Sequence, residues 1–320
     1  MQIRILTAED VIKALPMKKA IEAMRQAFGQ LSAGQADAPL RTRLHTEKGV
    51  SLLMPGYLHQ THDMGIKIVS IYPENSKSGL PIVTGTVLVL DSQTGFAKAF
   101  MDGHSLTAIR TGAAGGLAAE LLARQDAQTV ALFGAGVQGK AQLQAVMAVR
   151  AVKHINIVDI STEAAQKLSA EISLPDGAPS VSVISESREA IRNADIIIAA
   201  TTAVTPLFDG NDLKSGVHVT GVGSFKPDMQ EIDANTVRRA RIFVDSREAC
   251  LAEAGDLIIS NAEIDAEIGE VVNGKKEGRT FQDQITFFKT VGVAVQDVAA
   301  ATAVLDQAEK KGLGSVIQMA

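Results

Sequence analysis

The stretch Thr129–Gly139 reads TVALFGAGVQG, and His154–Asp159 reads HINIVD. An apolar segment of strand length runs directly into the pattern G-x-G-x-x-G and a helix-like segment follows. A second apolar segment then ends in an acidic residue. This order is typical of a dinucleotide-binding βαβ unit. A glycine pattern alone indicates only a strand-to-helix turn, but here its whole context is present, so we expect a dinucleotide site.

Each glycine has a physical role in the expected site. Gly134 permits the tight turn, Gly136 lets the backbone approach a pyrophosphate, and Gly139 lets the helix pack closely on the strand. The free N–H groups of a helix that starts near Val137 would hold the phosphates. The predicted cofactor contacts in this loop are Gly134, Ala135, Gly136, Val137, Gln138 and Gly139.

Asp159 predicts which dinucleotide binds. Its carboxylate can accept hydrogen bonds from both hydroxyls of the adenosine ribose, whereas a 2′-phosphate would meet a negative charge. We therefore expect NAD(H) rather than NADP(H).

The composition is that of an ordinary globular chain. Its 320 residues suffice for two domains with sizeable cores. A net charge of −5 gives no indication of nucleic acid or an anionic membrane as partner. The opening residues lack the apolar core of a signal peptide, and the single cysteine, Cys250, excludes an internal disulfide. We expect a cytoplasmic protein whose partner is a small molecule.

The first 120 residues show a different pattern from the rest. Short strand candidates lie between two helical segments, which predicts an α+β domain with an antiparallel sheet. The candidates are a helix at 16–31, strands at 52–54, 66–71 and 82–90, a hairpin into 96–100, and a helix at 105–123.

From Thr129 onward, strands and helices alternate regularly. This alternation predicts a doubly wound parallel sheet of Rossmann type, with ligands at the carboxyl ends of its strands. The strand candidates are 129–133, 154–159, 181–184, 195–200, 217–221 and 241–245. A final helix at 293–311 has no obvious strand after it and could return to cover the first domain. We predict an α/β fold with an NAD-binding Rossmann domain at 123–292. The predicted α+β substrate-binding domain is discontinuous, formed by 1–122 with 293–320.

Lys67 is the first candidate for chemistry. It lies in a strand-like segment between Ile66 and Ile68, so alternation directs it to the opposite face from its neighbours. If that face is covered, its pKa is lowered and it could act as a general acid or base. If that face is exposed, it is an ordinary solvated lysine, which alternation alone favours because lysine is seldom buried.

Arg110 lies early in a helix of small and apolar residues. Two interpretations are equally consistent with its position: a salt bridge, or a clamp for an amino-acid carboxylate, which its forked donors suit. Asp297, near the start of the last helix, is expected to form a cap or a salt bridge. The six histidines show no metal-ligand spacing, so no metal site is predicted.

Together these motifs resemble the ornithine cyclodeaminase/mu-crystallin family. APLR ending at Arg41, GIK ending at Lys67, LTAIR ending at Arg110, the glycine loop, and VGVAVQD ending at Asp297 follow the family's order from about residue 38 to 300. The resemblance implies a homodimer of two-domain subunits, with dimerisation through the first domain, acting on amino acids or their imines with NAD(P)(H). It also implies that Arg41 and Arg110 bind the substrate carboxylate and that Lys67 is the proton donor.

Further cofactor contacts are expected within the matched motifs and after the predicted strands. They are Thr111, Thr201, Val222, Gly223, Ser224 and Gly292.

The chain departs from the ornithine cyclodeaminases at Phe225. Those enzymes carry an aspartate there, counted back from Pro227, that activates the substrate amine. A phenylalanine cannot take a proton, and Asp228, three residues on, need not point inward. The chain therefore resembles the reductase and dehydrogenase branch of the family.

The leading hypothesis is an NADH-dependent reductase of an α-imino acid, reversible as an amino-acid dehydrogenase. Candidate substrates are a cyclic ketimine such as Δ1-pyrroline-2-carboxylate, or an acyclic imine related to alanine or aspartate. One alternative is an ornithine cyclodeaminase, which releases ammonia. Another is a non-catalytic binding protein like mu-crystallin, although the intact Lys67, Arg41 and Arg110 argue against lost catalysis.

Overall fold

The computed structural model describes residues 2–174 and 177–319. The chain forms two compact units, Met1–Arg110 with Val293–Ala320, and Thr111–Gly292. The sequence placed the first boundary after residue 122, whereas the structure divides the chain after Arg110. That point lies inside a continuous helix, Gly103–Leu122, which contains no break that a sequence pattern could reveal.

The first unit contains an eight-stranded sheet in the order β16-β1-β7-β6-β5-β4-β2, with β3 paired to β4. The strands are β1 (Gln2–Leu6), β2 (Ala36–Asp37), β3 (Thr42–His45), β4 (Val50–Leu58), β5 (Asp63–Ile71), β6 (Val83–Asp91), β7 (Ala97–Asp102) and β16 (Ser315–Gln318). The helices are α1 (Ala8–Ala14), α2 (Met17–Ser32), the start of α3 (Gly103–Leu122), and α11 (Ala294–Lys311).

This sheet is antiparallel, as predicted, except that β1 pairs with β7 in parallel. The sequence showed no obvious strand after the last helix, but the structure has one there, because β16 pairs with β1. All four residues of β16 are exposed, so the segment lacks the alternation of buried and exposed side chains that identifies a strand. Helix α11 does cover this unit, since it packs against α2, β4 and β5.

The second unit contains an all-parallel sheet in the order β10-β9-β8-β11-β12-β15-β13-β14. The strands are β8 (Thr129–Phe133), β9 (His154–Val158), β10 (Ser180–Val183), β11 (Ile196–Ala199), β12 (His218–Gly221), β13 (Ala240–Val244), β14 (Ala266–Glu267) and β15 (Ile285–Lys289). The helices are α4 (Val137–Val149), α5 (Thr162–Ser173), α6 (Ser187–Ile191), α7 (Ala234–Arg239), α8 (Arg247–Glu253), α9 (Gly255–Ile259) and α10 (Ile268–Val272).

The strand order confirms the predicted doubly wound fold. From β8 the chain proceeds outward to β9 and β10, then returns to place β11 on the other side of β8. Ligands of such sheets bind at the carboxyl ends of the strands beside this reversal. β11 is buried along its whole length, as expected for a strand covered on both faces. In the part of the chain described here, no helix combines the length and apolar character that crossing a membrane requires.

Candidate active site

Lys67 lies on the covered face of the first unit's sheet. Its neighbours across the sheet on that face are Met54 of β4 and Val87 of β6, both buried. Lys67 itself is 2 % exposed, whereas Ile68, on the opposite face, is 39 % exposed. Alternation thus gave the correct face, but the interpretation as a solvated lysine was wrong. Helix α11 provides the cover, and a pattern within β5 cannot show it.

Asp297 brings two cations together. One of its carboxylate oxygens is 2.7 Å from Nζ of Lys67, and the other is 2.9 Å from Nε of Arg110. Asp297 is fully buried. The salt bridge expected of Asp297 and one of the two interpretations of Arg110 are therefore both observed. The sequence had not indicated that Arg110 and Asp297 would pair with each other.

Gln296 completes this group, which we call the Lys67 cluster: Lys67, Arg110, Gln296 and Asp297. Its Oε1 accepts hydrogen bonds from Nη1 of Arg110 at 2.9 Å and from the backbone N–H of Val293 at 2.8 Å. Arg110 is thereby held at two of its nitrogens by consecutive residues at the start of α11.

The environment adjusts the pKa of Lys67 to the physiological range. Burial lowers it most, and the positive charges of Arg110 and Arg41 lower it further, against the opposing effect of Asp297. The result is a pKa of about 7. Both protonation states are then accessible at neutral pH, which is what a general acid or base requires.

The Lys67 cluster has an uncompensated positive charge when Lys67 is protonated. Two cations, Lys67 and Arg110, face one carboxylate. Arg41, half-buried just before β3, is near enough for its charge to lower the pKa of Lys67. A buried site with excess positive charge is stabilised by an anionic ligand. A carboxylate of a small substrate is suited to this position.

The glycine loop of the second unit has space where a pyrophosphate must approach. Gly134 has φ +95°, and a Cβ there would lie 2.4 Å from the carbonyl oxygen of Ala200. A Cβ on Gly139 would lie 1.8 Å from the carbonyl oxygen of Gly134, so the helix packs as closely as expected. A Cβ on Gly136 would meet nothing within 4 Å. Helix α4 begins at Val137, and no side-chain hydrogen bond caps it. The loop therefore fits a dinucleotide.

Asp159 follows β9 directly, as the sequence indicated. One carboxylate oxygen accepts the backbone N–H of Ala135 at 2.6 Å, and the other accepts that of Ser161 at 2.7 Å. Each oxygen keeps a second lone pair for a ribose hydroxyl. The first contact also ties the acidic residue to the glycine loop.

Most other expected cofactor residues lie at the carboxyl edge of this sheet. Thr201 follows β11, residues 222–224 follow β12, and Gly292 follows β15 with φ +84°. Thr111 lies instead within α3, where its carbonyl oxygen accepts a hydrogen bond from Nε2 of Gln142 at 2.7 Å. Phe225 is 38 % exposed, and the ammonium of Lys226 is 6.0 Å from the centre of its ring.

This chain is similar to known proteins along nearly its whole length. The model of the ornithine cyclodeaminase/mu-crystallin family matches residues 1–312. A Δ1-pyrroline-2-carboxylate reductase of Bacillus cereus is 36 % identical, over 98 % of this chain and 99 % of its own.

Solved structures show the same relationship. The structure of Thermococcus litoralis Δ1-pyrroline-2-carboxylate reductase with NADH and L-proline superposes with a TM-score of 0.92 at 40 % identity, covering 98 % of this chain and 99 % of the other. An archaeal alanine dehydrogenase dimer with bound NAD gives 0.93 at 33 % identity, covering 100 % of both chains. The protein belongs to the ornithine cyclodeaminase/mu-crystallin family, as its motifs predicted.

Proposed function

We propose that this protein is an NADH-dependent reductase of an α-imino acid, which runs in reverse as an amino-acid dehydrogenase. The observation that carries the proposal is the buried lysine with a pKa of about 7, held between a carboxylate and an arginine in a site of excess positive charge. The Bacillus and Thermococcus relatives, which are pyrroline-2-carboxylate reductases, make the cyclic imine Δ1-pyrroline-2-carboxylate the first substrate to test.

The arginines bind the substrate carboxylate. The guanidinium of Arg110 has five N–H donors. One of them donates to Gln296, and its Nε forms an ion pair with Asp297. Because these contacts fix its plane, the remaining donors are oriented in advance for a second carboxylate. Arg41 adds charge from the segment before β3.

Lys67 supplies the proton. NADH, when bound, supplies a hydride to the imine carbon, and the nitrogen then needs one proton to become the amine. Protonated Lys67 donates it, and neutral Lys67 takes it back in the reverse direction. Asp297 fixes the ammonium and stabilises its charged form.

The cofactor is NAD(H). The glycine loop and the start of α4 accommodate the pyrophosphate, and Asp159 holds the adenosine ribose. Both the Thermococcus reductase and the archaeal alanine dehydrogenase were solved with this cofactor bound.

The second candidate is an alanine dehydrogenase, because one structural relative with that activity is 33 % identical over the full length. Cyclodeaminase activity is disfavoured, because Phe225 provides no base for a substrate amine.

We also propose a homodimer formed through the outer face of the first unit's sheet. Ile68 and Phe100 lie on that face and are 39 % and 41 % exposed. The archaeal alanine dehydrogenase is a dimer. A cytoplasmic location is part of the proposal, supported by the single cysteine, Cys250, which is buried.

The test is NADH oxidation by the purified protein with Δ1-pyrroline-2-carboxylate, then with pyruvate plus ammonia. Oxidation with either substrate supports the proposal and distinguishes the two candidates. Ammonia release from ornithine at catalytic NAD would contradict it, and NADH binding without any turnover would favour a binding protein.

Substituting Lys67→Met tests the proton donor. We expect turnover to fall by about 10²–10⁴-fold, with NADH affinity unchanged. Lys18→Met is the matched control, because it removes an exposed lysine from the same unit. Unchanged turnover in Lys67→Met would remove Lys67 from the mechanism.

A further inference from the structure

A buried carboxylate crosslinks two loops at the carboxyl edge of the parallel sheet. Glu231 is fully buried. Its Oε1 accepts hydrogen bonds from the backbone N–H of Thr201 at 2.6 Å and from the Thr201 hydroxyl at 2.7 Å. Its Oε2 accepts the backbone N–H of Gly223 at 2.6 Å. Thr201 follows β11 and Gly223 follows β12, so a single side chain joins the ends of two adjacent strands.

The position of Glu231 is itself fixed by a buried ion pair. Oδ1 of Asp256 accepts the backbone N–H groups of Glu231 at 2.7 Å and Ile232 at 3.0 Å. The other oxygen of Asp256 is 3.0 Å from Nζ of Lys289, the last residue of β15, and both side chains are fully buried. The ends of three neighbouring strands are thus tied into one polar group.

Ser224 connects this group to the loop after β12 a second time. Its hydroxyl accepts the backbone N–H of Asp256 at 3.0 Å and donates to the carbonyl oxygen of Met229 at 2.8 Å. The backbone at Gly223 packs closely against the loop at Thr201, because a Cβ on Gly223 would lie 1.9 Å from the carbonyl oxygen of Thr201. The two loops therefore lie in direct backbone proximity with Glu231 between them.

The hydrogen bonds to Glu231 favour its ionised form, because both of its oxygens accept backbone N–H donors. Burial is the largest influence on its pKa and raises it overall, while the charge of Lys289 and the bonds from Thr201 act in the opposite direction. This arrangement of buried charges is costly unless every contact is made, which makes the loop geometry sharply defined.

The two loops belong to one half of the dinucleotide site. In a doubly wound sheet, one mononucleotide half is built on the strands that start at the glycine loop, here β8, β9 and β10. The other half is built on the strands beyond the reversal, here β11, β12 and β15. The glycine loop and Asp159 serve the adenosine half. The loops that Glu231 joins lie in the other half.

We propose that Glu231 is a positioning residue for the nicotinamide half of the cofactor, acting through the loops at Thr201 and Gly223 that it holds together. This inference rests on the proposed function, since it assumes that the second unit binds NADH. Glu231 does not touch the cofactor. It sets the spacing of two loops that do.

Glu231→Gln tests the proposal, because it keeps the shape and removes the charge. An amide has only one acceptor oxygen, so its NH₂ group must face an N–H donor of Thr201 or of Gly223. We expect the Kd for NADH, measured by nicotinamide fluorescence, to rise at least about tenfold, because loops that are no longer held at the same spacing fit the nicotinamide half less well. The Kd for ADP-ribose, which lacks the nicotinamide, should change less than about twofold. The Tm should fall, because a buried N–H loses its acceptor, so both affinities are measured at a temperature at which the variant is folded.

Glu277→Gln, which alters an exposed glutamate of the same unit, is the matched control and should bind both ligands as the parent does. Glu231→Asp keeps the charge opposite Lys289 and withdraws the carboxylate by one methylene. If Glu231→Gln does not fold, the affinities of Glu231→Asp for NADH and for ADP-ribose provide the same test. Equal losses for NADH and ADP-ribose, or no loss for NADH, would overturn the proposal.

The same measurements separate this inference from the proposed reaction. A parent protein that binds NADH but reduces no imine would refute the proposed function and leave the role of Glu231 decided by the two affinities. A parent protein that binds no NADH would overturn both.

Discussion

Asp297→Asn should move the pH dependence of imine reduction toward acid. The substitution keeps the size of the side chain and removes the negative charge 2.7 Å from Nζ of Lys67. Burial and the charges of Arg110 and Arg41 then act on Lys67 without opposition, so its pKa must fall below the present value of about 7.

The magnitude follows from that change. Loss of an opposite charge at this distance shifts a pKa by at least about one unit. At pH 7 the protonated fraction of Lys67 would fall from about one half to about one eleventh, which lowers the proton-donating population about fivefold. At pH 5.5 both proteins would be mostly protonated, and the difference due to protonation should shrink to less than about twofold.

The assay is the initial rate of NADH oxidation at saturating imine from pH 5.5 to 8.5, expressed as the ratio of variant to parent. The ratio cancels the titration of the substrate and the acid lability of NADH. Asp306→Asn, on the exposed side of the same helix, is the control and should leave the ratio flat. A rate that falls by the same factor at every pH would mean that Asp297 fixes the geometry of the site and does not set the pKa of Lys67. A shift toward alkaline pH would refute the reasoning outright.

Two further predictions concern the second unit. Asp159→Ser should raise the NADPH to NADH ratio of kcat/KM at least about tenfold, because it removes the charge that a 2′-phosphate would meet. Steady-state kinetics with both cofactors measures this, and an unchanged ratio would show that Asp159 does not face the ribose. His218, fully buried with its pKa lowered to about 3 by burial and nearby arginines, should destabilise this unit in acid. The folded state requires neutral His218. Its contribution to stability is therefore complete above about 6.5, the pKa of the histidine in the unfolded chain, and is lost progressively as the pH falls toward 3. The free energy of unfolding, measured with urea, should therefore fall between pH 7 and pH 5 by about 2 kcal/mol more in the parent than in His218→Gln. An equal pH dependence in the two proteins would count against the assignment.

The second unit could be predicted well from the sequence, because its signals are local. The glycine spacing, the buried apolar strands and the acidic end of β9 all lie within about thirty residues of one another. Helix α4 begins at Val137, where the motif placed it. A parallel sheet buried on both faces also gives strands such as Ile196–Ala199 that are apolar along their whole length.

Contacts between distant segments could not be predicted in this way. Strand β16 pairs with β1 across more than 300 residues, and neither segment has a strong pattern of its own. The burial of Lys67 depends on a helix that begins at Ala294. Its place in the family motif had indicated a role that alternation alone did not.

The group around Glu231 was missed altogether. Glu231 lies between Gln230 and Ile232 in a segment with no regular period, and its partners come from the ends of two strands and from helix α9. An acidic residue beside a single apolar neighbour is a weak signal of burial, and it does not identify the partners.

Helix α11 sets a condition on how this protein is made. Lys67 and Arg110 leave the ribosome early, yet the carboxylate that neutralises them is residue 297, and the helix that carries it ends at Lys311. Every residue of the second unit is synthesised in between. During translation Lys67 therefore lies on a sheet face that α11 does not yet cover, and Arg110, in α3, has no counterion from Asp297, while the complete Rossmann unit has already been synthesised. The first unit cannot close before α11 has been synthesised, and a chain that stops short of α11 would lack both the cover and the counterion.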